Sequence, residues 1–414
     1  MSAAATHGHA PTVSKPGGNR INVPPFSGGG KWLAAGGGVG LLLLILTFVG
    51  IATNPQTAYF SYLTAFTYWC GISFASVILL MIFHATHARW VTIIRRPIEA
   101  MAASVPIFLV LFIPVILGMK YTYVWVNPPE SLGHEALKLI AGKAAYLNVP
   151  GFIVRGFVYL VLAAFLGQRL HSWSLAQDKG GDPIRLLQSQ RNLAAGGLPF
   201  IALGLTFAAF DWLMSLNPTW FSTIFGVYYF AGSFVSALSL LAIATAAGRR
   251  SGLFGGTMTD EHTHNIGKLM LAFVCFWTYI AFSQLLLIWI ADLPDETPFF
   301  IKRFQPGWSP LGILLIIGHF FIPFGALLSR SLKRDPQKLR LVAYWILFIH
   351  WVDVFWLIMP SLNPDGFAFH WTDVTAFFGV GLVAIAFTIW RLRGKLPVPV
   401  NDPYLAVSIG YHQP

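Results

Sequence analysis

Charge is what this sequence has least of. Its 27 Lys and Arg and 16 Asp and Glu amount to 10% of 414 residues, where a soluble domain carries about a quarter. That shortage excludes a water-soluble globular protein. Cysteine is nearly missing as well: Cys70 and Cys275 are the only two, and both fall inside apolar runs. They are too few for a thiolate cluster holding zinc or iron–sulfur, which needs several cysteines together, so both read as buried apolar side chains. Long polar stretches are also lacking. The longest loop between apolar runs is Lys120 to Asn148, too short for a sizeable soluble domain.

What is there is hydrocarbon. Hydrophobic residues make up 56% of the chain, gathered into runs of about 20 residues or more, the length that crosses a bilayer as a helix. Ten such runs are predicted: Trp32 to Ile51, Tyr62 to His84, Ile98 to Met119, Val149 to Leu170, Ala194 to Leu216, Trp220 to Ala247, Gly267 to Ala291, Ser309 to Leu328, Leu339 to Pro360 and Trp371 to Trp390. The net charge of +11 invites a nucleic-acid reading, but its distribution excludes one. With ten spans, Lys120, Lys138, Lys143, Lys302 and Arg303 lie on one side and Arg155 lies within a span. The rest of the 27 basic residues lie on the side of the two termini. This is the positive-inside bias, and it places both termini in the cytoplasm.

Residues 1–30, rich in Gly, Pro, Ala and His, read as a disordered cytoplasmic tail, and 393–414 as a cytoplasmic C-terminal tail. The first run lacks a small-residue cleavage site and reads as an uncleaved span. A weak repeat joins DWLMSLNP from Asp211 to FWLIMPSLNP from Phe355, and FTYWCGISFAS from Phe66 to VYYFAGSFVS from Val227. An offset of four spans keeps both copies in the same orientation. The expected fold is therefore an all-α integral membrane protein with two four-helix bundles, about 62–216 and 220–360, and two peripheral helices. Parallel repeats also occur in transporters. Pro106, Pro114, Pro199 and Pro323 interrupt spans 3, 5 and 8 and mark helices that face a packed interior. The segment SLGHEALKLIAGK from Ser131 predicts a short helix lying at the interface.

Ionisable groups inside such runs cost at least ~2.5–3.5 kcal/mol each near the bilayer centre, so those retained are candidates for function. His350 and Asp353 are three apart and share a helical face, about 16 and 21 Å from the terminal end of their span, and His319 lies about 15 Å into its own. A carboxylate fixes a histidine's tautomer, and a neutral histidine passes a proton near physiological pH. These three read as a proton path or as a buried pair pinning helices. Two axial histidines would also suit a haem, and His319 and His350 are the deep pair, but nothing else in the sequence supports one. Glu99, beside His84, His87, Arg95 and Arg96, reads as the mouth of such a path or as orientation anchoring. Ser283 and Gln284 could extend it or bond across helices. DEHTHNIGK from Asp260 has metal-type residues but starts a helix, so no metal site is assigned. Arg155 and Asp211 sit within about 10 Å of the far face and can pair if spans 4 and 5 adjoin. With Asn217, Trp220 and Tyr228 they make a mixture suited to a quinone head, or else a structural ion pair in an aromatic belt.

Several long motifs carry a resemblance: RWVTIIRRPIEAMAASVPIFLVLFIPVILG from Arg89, KAAYLNVPGFIVRG from Lys143, FDWLMSLNPTWFSTIFGVYYFAG from Phe210, HNIGKLMLAFVCFWTYIAFSQLLLIW from His264 and LFIHWVDVFWLIMPSL from Leu347. From about Trp32 to Trp390 the chain resembles the ActF-like family of NrfD-like membrane subunits of bacterial alternative complex III, a quinol:electron-acceptor oxidoreductase. The resemblance implies ten spans in two four-helix bundles in the bacterial inner membrane. It also implies partners: a second NrfD-like subunit, an iron–sulfur subunit, haem c subunits and other small membrane subunits. Haem c and iron–sulfur clusters would belong to those partners, with quinone or menaquinone the one cofactor this chain could meet. The better-supported quinol pocket of the family lies in the sister subunit, so quinone contact by Arg155 and Asp211 is not carried over with their motif. A secondary transporter and a pure scaffold are the alternatives. Nothing implies nucleic acid.

Overall fold

The computed structural model describes residues 12–14 and 20–412, with side chains from residue 23 onward. Among the described residues, ten helices are long and apolar enough to cross a membrane: spans 1 (Gly30–Thr53), 2 (Pro55–Ala85), 3 (Arg89–Leu117), 4 (Val149–Asp178), 5 (Pro183–Leu216), 6 (Phe225–Arg250), 7 (Asp260–Ala291), 8 (Ser309–Leu328), 9 (Pro336–Ser361) and 10 (Trp371–Leu392). The chain is an all-α, multi-pass membrane protein. Span 1 begins and span 10 ends on one side, called here the terminal face.

Most spans run past the apolar runs that predict them, because their starts are written in caps rather than hydropathy. Asn54 accepts from Thr57 N at 3.2 Å ahead of Pro55. Asp182 and Asp335 do the same ahead of Pro183 and Pro336, accepting from Ile184 N at 3.0 Å and Gln337 N at 2.9 Å. An Asn or Asp side chain supplies the acceptor that the first free N–H groups need, and proline at the first turn has no N–H to leave unpaired. Proline explains the interruptions too. Span 3 is broken at Pro106 and Pro114 into short helical pieces, while Pro199 is absorbed within span 5.

Spans 2 and 6 form the axis of the molecule. Of their most apolar windows, 94% and 72% are buried, and they pack on each other as well as on their own neighbours. Their contact is close because Gly71 faces span 6: a Cβ there would lie 2.5 Å from both Tyr229 Oη and Ser233 Oγ. Span 2 packs with spans 3 and 5, and span 4 with spans 3 and 5; span 6 packs with spans 7 and 9, which both meet span 8. Spans 1 and 10 pair beside span 2 through Gly40 and Gly379. The two copies of the SLNP repeat each end a span in a 3-10 turn, and Asn217 Nδ2 donates to Ser361 Oγ across them at 3.3 Å.

The ends of the chain meet on the terminal face. Within the region expected to be a tail, Thr12–Ser14 pairs antiparallel with Arg20–Asn22, while residues 1–11 and 15–19 lie outside the described residues. Phe26 exchanges backbone hydrogen bonds with Gly394 and Lys395. The C-terminal segment folds back over span 3: Ser408 Oγ donates to Trp90 O at 2.7 Å and accepts from Ile93 N at 3.1 Å. Val398, Leu405 and Ile409 of that segment are buried. On the opposite face, His134–Gly142 forms the short helix expected there.

Candidate functional site

Spans 8 and 9 bring His319, His350 and Asp353 together. Each offers one metal-type donor atom, and these atoms lie within 4.8 Å of one another. All three side chains are buried, about 12–16 Å from the opposite end of their spans by helical rise. His350 Nδ1 is 3.6 Å from Asp353 Oδ2. The Asp353 carboxylate is held by two donors from other spans: Tyr228 Oη of span 6, and Trp277 Nε1 of span 7 at 3.2 Å. No Lys or Arg pairs with it among the described residues.

Each position has a local cause. His350 and Asp353 face inward one turn apart on span 9, and span 6 approaches them at Gly232. A Cβ there would lie 2.6 Å from His350 Cε1 and 2.7 Å from Nδ1. His319 sits in a π-helical turn, Ile316–Phe321, just before Pro323, which has no N–H to close a regular turn. The turn leaves Gly318 O to accept from Trp345 Nε1 at 2.7 Å. Turns of this kind concentrate at functional sites. The His319 ring stacks on Trp277 at 3.7 Å and 12°, and lies edge-on to His350 at 6.2 Å. Tyr68 of span 2 covers the His350 ring at 5.2 Å. All four ring nitrogens of His319 and His350 lack a hydrogen-bond partner among the described residues.

The trio is geometrically able to hold a metal ion, but its surroundings fit proton exchange better. Zinc ligands are ordinarily oriented by a second hydrogen bond from the far ring nitrogen, and neither histidine has one here. The carboxylate is already committed to two donors, and Trp277 fills one face of His319. No family model matches the chain, and no curated protein matches it either.

Of the remaining predicted residues, Arg155 and Asp211 pair as spans 4 and 5 adjoin. The guanidinium binds both carboxylate oxygens, at 2.8 and 2.9 Å, and Tyr159 Oη adds a third bond at 2.9 Å. The Arg155 guanidinium also lies 3.9 Å from the Tyr146 ring centre. Burial, helped by the Asp211 carboxylate, pushes the Tyr146 hydroxyl up to about 12. The pair satisfies itself, leaving few sites for a ligand. Trp220 stands apart from it, stacked on Phe299 at 3.9 Å, and Tyr228 belongs to the Asp353 cluster. Of the five residues grouped as a quinone site, Arg155 and Asp211 bond each other, while Asn217, Trp220 and Tyr228 take partners at Ser361, Phe299 and Asp353.

Glu99 lies at the terminal face, gripped by Arg95 at 2.8 Å and Arg96 at 3.1 Å, with His171 Nδ1 at 3.7 Å. Arg95 also binds Asp402 of the C-terminal segment, and Arg96 binds Asp178. Around this knot Ser174, Gln190 and His171 are buried with polar atoms unpartnered among the described residues, a polar interior within the first bundle. Gln284 Nε2 donates to Ser222 Oγ at 3.1 Å, and Ser283 Oγ to Ile280 O in its own helix at 3.1 Å.

Three residues escaped the sequence reading. Trp277 positions both Asp353 and His319. Arg303 is fully buried without a carboxylate partner among the described residues, and binds the carbonyls of Trp356 (3.2 Å), Leu357 (2.6 Å) and Phe299 (2.8 Å). Burial pushes its guanidinium down to about 9, still cationic at neutral pH. Pro360 accounts for the first of these bonds, since it lacks the N–H that would otherwise reach Trp356 O. Trp356 is buried, with its indole N–H unpartnered among the described residues. Arg303 alone left a trace in the sequence, as a basic residue on the side otherwise poor in them.

Proposed function

We propose that the chain is an integral membrane subunit of a quinol-oxidising electron-transfer complex of the alternative complex III type, in the bacterial inner membrane with both termini cytoplasmic. Its contribution is anchoring and a proton half-path through Asp353, His350 and His319. The observation that carries this reading is the mid-span trio: a carboxylate with no Lys or Arg partner among the described residues, beside two histidines whose ring nitrogens make no hydrogen bond there. A purely structural pair would be expected to satisfy its polar atoms, and a buried ionisable residue in a membrane marks a proton or ion route by default.

The Glu99 knot supports a route from the terminal face, because it gathers titratable groups and polar side chains without a partner among the described residues at the end of spans 3 and 4. The long motifs quoted above and the basic terminal face support membership and orientation. In this reading electrons pass through the haem c and iron–sulfur centres of partner subunits, and quinol supplies them. The test is purification in mild detergent. The proposal expects haem c absorbance, iron–sulfur signals and a second membrane subunit of related sequence to co-purify with the chain. A lone homo-oligomer showing substrate-dependent transport in liposomes would overturn it in favour of a transporter.

A further inference from the structure

We infer that a cavity of about 410 Å³ between spans 6, 7 and 8 and the Pro298–Phe304 helix is a binding site for the ring of a quinone entering from the bilayer. The volume is within the range of small-molecule sites. It lies beyond the Arg155–Asp211 pair, on the other bundle. Its mouth is formed by Phe282, Ile316 and Phe321, side chains about half exposed on the outer surface of spans 7 and 8. That surface belongs to membrane-spanning helices, so whatever enters the cavity from the bilayer is soluble in the membrane.

The inner end is chemically specific. Trp356 is 7% exposed, and its indole N–H has no partner among the described residues. An indole nitrogen donates only. It points at space kept open by Gly312, where an added Cβ would stand 3.9 Å from Trp356 Nε1. Gln284 also lines the cavity; its amide nitrogen gives one hydrogen to Ser222 and keeps a second. The charged donor nearby, Arg303, spends its bonds on carbonyls, so the site offers neutral donors and calls for neutral acceptors. Aromatic walls, Phe225, Phe299, Phe300 and Trp277 among them, suit a flat ring. A flat, lipid-soluble ring carrying carbonyl acceptors is a quinone; that choice among carbonyl lipids rests on the proposed function, whereas the donors and the mouth do not. Tyr228 forms the wall between this cavity and Asp353.

The experiment uses the full chain with its native partners in nanodiscs and a short-tailed azidoquinone, mapping photolabelled peptides by mass spectrometry. Label is expected within 278–285 and 299–321, displaced by a decyl-quinone but not by decylcyclohexane, which has no carbonyl. Trp356→Phe should weaken competition about fivefold to tenfold, the loss of one hydrogen bond, and Gly312→Leu should abolish labelling. If Gly312→Leu fails to fold, Trp356→Phe decides. Label confined to other segments, equal displacement by decylcyclohexane (a slot for lipid tails), or indifference to Trp356→Phe overturns the site. Redox partners present without competed label would sink this inference alone; competed label on a chain that has no redox partners would sink the proposed function and leave the site standing.

Discussion

Arg303→Met removes a guanidinium that caps the end of span 9. Its bonds to Trp356 O and Leu357 O serve buried carbonyls at the end of span 9, the first of which Pro360 cannot serve. Leaving a buried carbonyl unsatisfied costs about 1–3 kcal/mol, so two cost about 2–6. Removing a fully buried cation returns some of that, because a desolvated charge is itself expensive, and a net loss of about 2–4 kcal/mol remains. Thermal unfolding in detergent should shift down by roughly 5 °C or more. Pro360→Ala supplies the missing N–H, so in that background Arg303→Met should cost about 1 kcal/mol less, the worth of one recovered hydrogen bond. A double-mutant cycle reads the difference. Unchanged stability in Arg303→Met, or identical costs in both backgrounds, would refute the capping argument.

Two further outcomes follow from the packing and the charges. Gly232→Val places methyl groups where even a Cβ meets His350 at 2.6 Å; overpacking of this kind costs about 1–3 kcal/mol, and a melting curve indistinguishable from the parent would mean spans 6 and 9 are not in contact there. Tyr146 is held protonated from its ordinary value of 10.0 up to about 12 in the folded chain. The folded state then keeps a proton that the unfolded state loses, so this contribution is full below pH 10 and falls away as pH rises toward 12. Tyr146→Phe should flatten that part of the stability profile, and an equally steep decline in the variant would contradict the assignment.

The spans were legible because exclusion of charge from hydrocarbon is a strong, local rule. Their starts were less so, since Asn54, Asp182 and Asp335 are polar residues that hydropathy discards and capping chemistry retains. In the site, His350 and Asp353 were legible from a separation of three on one helix, and Arg155 with Asp211 from equal depth on adjoining spans. Tyr228 was grouped with Asn217 and Trp220 by sequence proximity, which says nothing about the bond it makes to Asp353. Trp277 and Trp356 look like any membrane tryptophan, and only tertiary contact shows one bonded to Asp353 and the other with a buried N–H. The C-terminal segment reads as a tail since its 405–409 helix is a bare turn; Asp402 and Ser408 are fixed by span 3, which no local pattern announces.

Asp353, the mid-span carboxylate, is proposed to carry protons for a larger redox assembly. Asp353→Asn keeps shape while removing the proton-carrying group, and the decisive measurement is protons released per quinol oxidised by the native complex in sealed liposomes. A path through Asp353 adds translocated protons to those the quinol itself gives up on oxidation, so the ratio should fall to the quinol's own protons in the variant, with the complex still assembled. Unchanged quinol oxidation together with unchanged proton release would contradict the account.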